Sequence, residues 1–142
     1  MQGEIQKDNP AVAYYGYEIV AAHEHDPQAF TQGFCFADGM LYEGTGLYGR
    51  STLRRVNLEG GGVELRRLPD NYFGEGVTVF GDRVIQLTWQ SHTGIVWDRE
   101  SLQVIRFFSY ATEGWGITHD GRQLIMSDGS ATLIFFDPQT YT

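Results

Sequence analysis

The sequence predicts an all-β fold, and two observations lead to this prediction. The first is composition: aromatic residues make up 14% of the 142 residues, and 18 glycines stand against 4 prolines. Aromatic side chains favour strands and glycine favours tight turns, so many short strands are expected. The second is an internal repeat of about forty residues, the period at which the blades of a β-propeller recur.

Charge and hydrophobicity narrow the classes of function. With 42% hydrophobic and 20% charged residues, the chain has the composition of one globular domain. A formal charge of −8 argues against nucleic acid as a partner, because affinity for phosphates depends on clustered Lys and Arg. No apolar run approaches the roughly 18 residues that span a bilayer, and residues 1–10 lack the apolar core of a signal peptide. We therefore expect neither nucleic acid nor a membrane as partner.

The repeat is marked by three short segments with a shared glycine: Gln32-Gly33-Phe34, Glu75-Gly76-Val77 and Trp115-Gly116-Ile117. Each is followed by a turn pair typical of a hairpin: Asp38-Gly39, Gly81-Asp82 and Asp120-Gly121. The three segments begin 43 and 40 positions apart. Because the first strand of each propeller blade lines the central channel, we expect Gln32, Glu75 and Trp115 to face one shared site.

The repeat predicts the following blades and strands, in chain order. Residues 1–13 are predicted to be an N-terminal extension and residues 14–142 a partial propeller, with an outer closing strand at 14–22. The three blades are predicted at about 29–69, 73–110 and 114–142. Their second strands are expected at 40–46, 83–89 and 123–129, after the turn pairs, and outer strands at 63–68 and 103–110.

The third repeat reaches Thr142 without an outer strand of its own. Three blades in an open arc would leave unpaired strand edges, and propellers typically close with four to eight blades. We therefore expect either a truncated chain or one that associates with copies of itself to complete the ring. A compact β-sandwich with accidental internal similarity is the alternative fold.

Glu75 is the candidate for proton-transfer chemistry. It lies in Phe73-Gly74-Glu75-Gly76, where flanking glycines allow the backbone and a ligand to approach closely and the aromatic ring limits hydration. We expect a raised pKa, and a carboxyl group that titrates near neutrality can both take and return a proton. A solvated glutamate in a turn is the alternative.

Trp89 and Trp115 are candidates for the wall of a small ligand pocket, because indoles combine apolar area with an orienting N–H. Core packing is an equal alternative for Trp89, whereas Trp115, placed between glycines, is harder to explain as core. His23 and His25 alternate along one predicted strand, but no HExxH or paired-cysteine pattern accompanies them, so no metal site is predicted.

Motifs in a fixed order extend from His25 to the C-terminus. They are His25-Asp26-Pro27, Ala29-Phe30-Thr31-Gln32-Gly33, Leu41-Tyr42-Glu43, Thr45-Gly46-Leu47-Tyr48-Gly49, Phe73-Gly74-Glu75-Gly76, Gln86-Leu87-Thr88-Trp89, Glu113-Gly114-Trp115-Gly116 and Ser127-Asp128-Gly129. Together they resemble the glutaminyl-peptide cyclotransferases of the plant and bacterial type. The resemblance implies a five-bladed propeller that converts the N-terminal glutamine of a peptide or protein to pyroglutamate and releases ammonia. It implies neither a metal nor a cofactor.

Residue by residue, the resemblance makes Glu75 the general acid/base. It implies that the pocket is shaped by Phe30, Gln32, Phe73, Trp89 and Trp115. Gly44 departs from the serine usual in the family, and we expect looser packing there. The family also uses an asparagine, a tryptophan and a lysine from later blades, so a non-catalytic propeller fragment that binds peptides or proteins is the alternative function. Relatives are often exported, which favours a periplasmic or secreted location.

Overall fold

The computed structural model describes residues 13–142, and in this part of the chain it contains eleven antiparallel strands in three sheets and no helix. The first sheet has the order β1 (Thr31–Ala37), β2 (Met40–Thr45), β3 (Thr52–Asn57) and β4 (Val63–Arg67). The second has the order β5 (Gly74–Phe80), β6 (Arg83–Thr88), β7 (Thr93–Asp98) and β8 (Val104–Ser109). The third is formed by β9 (Ile117–His119), β10 (Leu124–Ser127) and β11 (Leu133–Phe136). The all-β prediction is confirmed.

Each sheet is an up-and-down meander, in which every strand pairs with its neighbour in sequence. The hairpin between β1 and β2 turns at Asp38 and Gly39, whose φ angles are 49° and 78°. Two positive φ values in a two-residue loop match the twist of the flanking strands, which is why Asp-Gly favours this turn. The observed second and outer strands begin and end within one or two residues of the predicted ones.

The second sheet is packed on both faces. Val84 and Ile85 are adjacent on β6, so their side chains point to opposite faces of the sheet. Val84 joins a core shared with Tyr42 and Leu53 of the first sheet, while Ile85 joins a core shared with Leu124 of the third. Both faces of β6 are therefore apolar, and the three sheets stack as consecutive blades.

The predicted outer strand at 14–22 is not formed. These residues take part in no ladder among the described residues, and all of them are exposed, with Tyr14 94% and Val20 93% accessible. An isolated strand gains neither ladder hydrogen bonds nor a buried face, which explains why a strand-like sequence remains unpaired here. Residues 1–12, most of the predicted extension, lie outside the described residues.

Two further observations bear on the classes of function. Within residues 13–142 there is no helix long and apolar enough to cross a membrane. No group of three or more His, Cys, Asp or Glu side chains in that range is arranged to hold a metal ion.

Candidate active site

The first strands of the three blades meet at one end, and their irregular pairing directs side chains into the site. On β1 the register shifts between Thr31 and Gly33, and on β5 it shifts between Gly74 and Val77. Gln32 and Glu75 lie inside these two irregularities. A β-bulge bends its strand and re-aims a side chain, and bulges are frequent beside active sites. Two of the three repeat positions are thus turned out of the regular pleat.

The first strands approach each other as closely as glycine permits. The Gly76 N–H donates a hydrogen bond of 2.8 Å to the carbonyl oxygen of Trp115 in the next blade. A Cβ atom on Gly76 would lie 2.5 Å from that oxygen, and one on Gly33 would lie 2.8 Å from the Cα atom of Gly76. No larger residue fits at either position without moving the backbone. The glycines of the repeat therefore allow the three blades to share one site.

A cavity of about 340 Å³ lies at this convergence. Its lining residues are Phe30, Gln32, Phe73, Glu75, Trp89 and Trp115. The structure therefore brings together all six residues that the sequence and the family resemblance select. Most of the lining is aromatic, and Gln32 and Glu75 supply its polar groups, a composition typical of small-molecule sites.

The aromatic walls are held by edge-to-face contacts centred on Phe73. Its ring centroid lies 6.1 Å from that of Phe30 and 5.6 Å from that of Trp89, with interplanar angles of 87° and 65°. Tyr48, which the sequence analysis does not select, contacts the same ring at 5.5 Å. Edge-to-face pairs each contribute about 0.5–1.5 kcal/mol beyond burial. These contacts hold the rings of Phe30, Phe73 and Trp89 against one another.

Glu75 is buried among these rings with 9% of its surface accessible. Burial raises the pKa of its carboxyl to about 7, because the charged form loses hydration. The Gln32 side-chain N–H donates to Glu75 Oε1 at 2.8 Å and lowers the pKa, while the negative charge of Glu113 raises it. Glu75 therefore exchanges its proton near neutral pH.

Glu113 is the residue that the sequence analysis misses. Its carboxylate accepts the indole N–H of Trp89 at 2.7 Å and the indole N–H of Trp115 at 3.0 Å. Gln90 donates to the other oxygen at 3.1 Å. The available signal was its position in the repeat, because Glu113 precedes Trp115 by two residues as Phe73 precedes Glu75.

Gly44 shows tighter packing than expected. A Cβ atom at this position would collide with the carbonyl oxygen of Glu75 and lie 3.2 Å from the Gln86 amide nitrogen. The backbone of β5 therefore occupies the space that a side chain at position 44 would need. The expectation of loose packing at Gly44 is wrong, and the glycine instead lets Glu75 lie directly against β2.

A larger cavity of about 620 Å³ lies at the opposite end of the strands, near the β5–β6 turn. Its two arginines, Arg55 and Arg99, are already engaged within the protein. Arg99 contacts Asp38 at 2.7 Å, and Arg55 donates to the backbone carbonyl oxygens of Arg99 and Glu100 at 2.6 and 2.9 Å. These contacts link neighbouring blades, so the arrangement serves structure rather than chemistry.

Known proteins with the same features identify the family. A model of the glutamine cyclotransferase family matches residues 1–142, the whole chain. The chain belongs to this family. The glutaminyl-peptide cyclotransferase of Arabidopsis thaliana is 46% identical over 126 residues, which cover 87% of this chain and 39% of that protein.

Solved structures agree with this assignment and show the fold. The crystal structure of Myxococcus xanthus glutaminyl cyclase matches with a TM-score of 0.78 and 34% identity, over 88% of this chain and 53% of that one. A β-propeller domain from Myceliophteria thermophila matches with a TM-score of 0.56 and 13% identity, over 79% of this chain and 40% of that one. The chain thus has a propeller-type fold and spans about half, or less, of the length of these relatives.

Proposed function

We propose that the protein is a glutaminyl-peptide cyclotransferase, which converts the N-terminal glutamine of a peptide or protein to pyroglutamate, with Glu75 as general acid and base. One observation carries the assignment of roles: Glu75 is a buried carboxyl in a small aromatic pocket, and this burial raises its pKa to about 7. Membership of the glutamine cyclotransferase family supports the reaction.

The reaction begins with proton removal. The substrate α-amine, with a pKa of roughly 7.7–8 in a free peptide, must be neutral before its lone pair can attack. The neutral amine bonds to the carboxamide carbon of the same residue and closes a five-membered ring, and the Glu75 carboxylate accepts the proton that this nitrogen loses as the bond forms. A carboxyl with a pKa of about 7 suits this step, because near neutral pH it can both accept and return a proton.

The same carboxyl completes the reaction. The tetrahedral intermediate loses its original amide nitrogen, which departs as ammonia only after it is protonated. Glu75 returns its proton to that nitrogen, the carbon–nitrogen bond breaks, and the lactam carbonyl re-forms. The cyclised peptide and ammonia together contain all the atoms of the substrate, and Glu75 is again a carboxylate.

The aromatic walls supply the geometry for ring closure. A free glutamine side chain samples many rotamers, and few of them bring the amine close to the carboxamide carbon. Trp89, Trp115 and Phe73 line a cavity of about 340 Å³, which is large enough for a folded five-carbon chain. Proximity of this kind can lower a barrier by several kcal/mol in well-oriented intramolecular reactions.

One observation favours a second function, peptide binding without turnover. The side-chain donors that line the pocket in residues 13–142 already donate within the protein, Gln32 to Glu75 and the two indoles to Glu113. Among these donors only the second amide N–H of Gln32 is left for an oxyanion, although such stabilisation is often the largest catalytic contribution. Under this alternative the chain would capture glutamine-initiated peptides and release them unchanged.

Mass spectrometry of a glutamine-initiated peptide separates these functions. We expect the peptide to lose one ammonia with the wild-type chain, and an N-acetylated copy, whose amine cannot attack, to stay intact. Glu75→Gln is expected to slow the reaction about 10²–10⁴-fold, the usual contribution of a general acid/base. Glu59→Gln, at an exposed turn, makes the same charge change and should retain activity. Binding without ammonia release, or normal turnover by Glu75→Gln, would contradict the proposal.

A further inference from the structure

The carboxylate of Glu113 lies behind the pocket rather than in its lining. Trp89 and Trp115 line the cavity, and their N–H groups donate to one oxygen of Glu113, which is not part of the lining. The two tryptophans belong to different blades, since Trp89 follows β6 and Trp115 precedes β9. A single oxygen atom therefore joins two walls that no ladder hydrogen bond connects directly.

The arrangement is held from several directions. Gln90 donates to the second Glu113 oxygen at 3.1 Å, so both oxygens of the carboxylate are used. The backbone N–H of Gly114 donates to the Trp89 carbonyl oxygen at 2.9 Å, which ties the same two segments together next to the carboxylate. Hydrogen bonds to a charged acceptor are roughly twice as strong as neutral ones. The indole rings are thereby fixed in rotation as well as in position.

Packing alone does not fix the Trp115 ring. It is 48% exposed, whereas a core tryptophan would be held on every side by neighbouring side chains. The ring lies against Gly129, which is itself exposed, and a Cβ atom on Gly129 would lie 2.7 Å from the indole. The hydrogen bond to Glu113 is thus a large part of what defines the orientation of this wall.

We propose that Glu113 is a positioning residue, which fixes the Trp89 and Trp115 indoles as two walls at the spacing that a folded glutamine side chain requires. This inference rests on the proposed function for its meaning in catalysis. The contacts themselves predict that both indole N–H groups are protected from exchange with solvent in the chain without substrate.

The charge of Glu113 has a second consequence for Glu75. The ionised form of Glu113 is favoured by its three donors, which hold its pKa below the usual value, and His92 acts on it in the same direction. This charge opposes ionisation of Glu75. Tyr110 also interacts with Glu75, but its pKa is raised above that of an ordinary tyrosine, so its phenol is neutral in this pH range. Removing the charge of Glu113 should therefore move the ionisation of Glu75 to lower pH.

The two consequences are separated by two substitutions. Glu113→Ala removes both the acceptor and the charge, whereas Glu113→Gln keeps an acceptor oxygen of the same reach and removes only the charge. Exchange of the indole N–H protons with solvent, followed by NMR, reports the hydrogen bonds directly. Trp97 is an internal reference, because it is buried, lies outside the pocket lining, and its indole N–H has no partner among residues 13–142.

For Glu113→Ala we expect indole exchange at Trp89 and Trp115 to accelerate about tenfold or more, with exchange at Trp97 unchanged. KM for a glutamine-initiated peptide should rise more than kcat falls. Glu113→Gln should largely restore indole protection and KM, while the acidic limb of the pH–rate profile moves to lower pH. Glu59→Gln, an exposed site with the same charge change, should alter neither property.

Unchanged exchange at both pocket indoles in Glu113→Ala would overturn the proposal. Accelerated exchange at Trp97 as well would show that Glu113→Ala has lost its fold, and Glu113→Gln then becomes the deciding variant. Unprotected pocket indoles in Glu113→Gln, together with an unmoved acidic limb of the pH–rate profile, would refute the role. Absence of cyclisation by the wild-type chain would refute the proposed function alone, because the indole measurement needs no turnover.

Discussion

Replacing Glu75 by glutamine is expected to stabilise the folded chain, and to do so more at alkaline than at acidic pH. Burial raises the pKa of this carboxyl from its usual value of 4.5 to about 7. Between these two values the unfolded chain releases the proton and the folded chain keeps it. Wild-type stability therefore falls as pH rises through this window, since the folded state must eventually ionise a buried group.

The magnitude follows from the two pKa values. One pKa unit corresponds to about 1.4 kcal/mol, so a rise from 4.5 to about 7 corresponds to at most about 3 kcal/mol. The pocket opens to water on one side, which screens part of this cost, and we expect a difference of about 1–2 kcal/mol. Glutamine has the same shape, carries no charge and can still accept the hydrogen bond from Gln32.

Urea denaturation at about pH 4 and about pH 8 measures this effect. The free energy of unfolding of Glu75→Gln minus that of wild type should increase by about 1–2 kcal/mol between the two conditions. Glu59→Gln, at an exposed position, controls for the change in net charge and should show no such increase. A difference that is constant with pH, or that shrinks on going to pH 8, would refute the reasoning.

Two further substitutions test the site geometry. Gln32→Ala removes a donor that lowers the pKa of Glu75. The acidic limb of the pH profile of ammonia release should therefore move to higher pH. An unmoved limb would show that this hydrogen bond does not affect the ionisation of Glu75. Gly76→Ala places a methyl group 2.5 Å from the Trp115 carbonyl oxygen and should cost about 1–3 kcal/mol of stability in urea denaturation. Gly16→Ala, which has open space around it, is the control, and equal stability of the two variants would contradict the close approach.

Much of the fold was predictable because the repeat carries information at two scales. The spacing of 43 and 40 positions places Gln32, Glu75 and Trp115 at equivalent points in successive blades. The turn pairs between first and second strands then fix where each hairpin reverses. Since neighbouring strands in sequence are also neighbours in each sheet, local signals sufficed to place the strands.

The outer strand at 14–22 was not predictable in the same way. Its sequence alternates suitably for a strand, but a strand forms only against a partner edge, and no such edge contacts it among the described residues. Local propensity describes what a segment can become, whereas pairing decides what it does become. The predicted domain boundaries and self-association stay predictions.

The role of Glu113 shows the same limit within the site. The sequence places it two residues before Trp115, but its contact with Trp89 joins residues 24 positions apart and depends on how two blades pack. An isolated glutamate beside glycine reads as a solvated turn residue. The three-dimensional arrangement was needed to show that its carboxylate is shared by two indoles.

The proposed function depends most directly on one property, the protonation of Glu75 near neutral pH. Carboxyl carbon NMR of the wild-type chain measures it, with the signal assigned by its loss in Glu75→Gln. A titration midpoint near 7 is predicted. A midpoint near 4.5, the value of an ordinary glutamate, would contradict the assignment of Glu75 as the group that takes a proton from the amine and returns it to the departing ammonia.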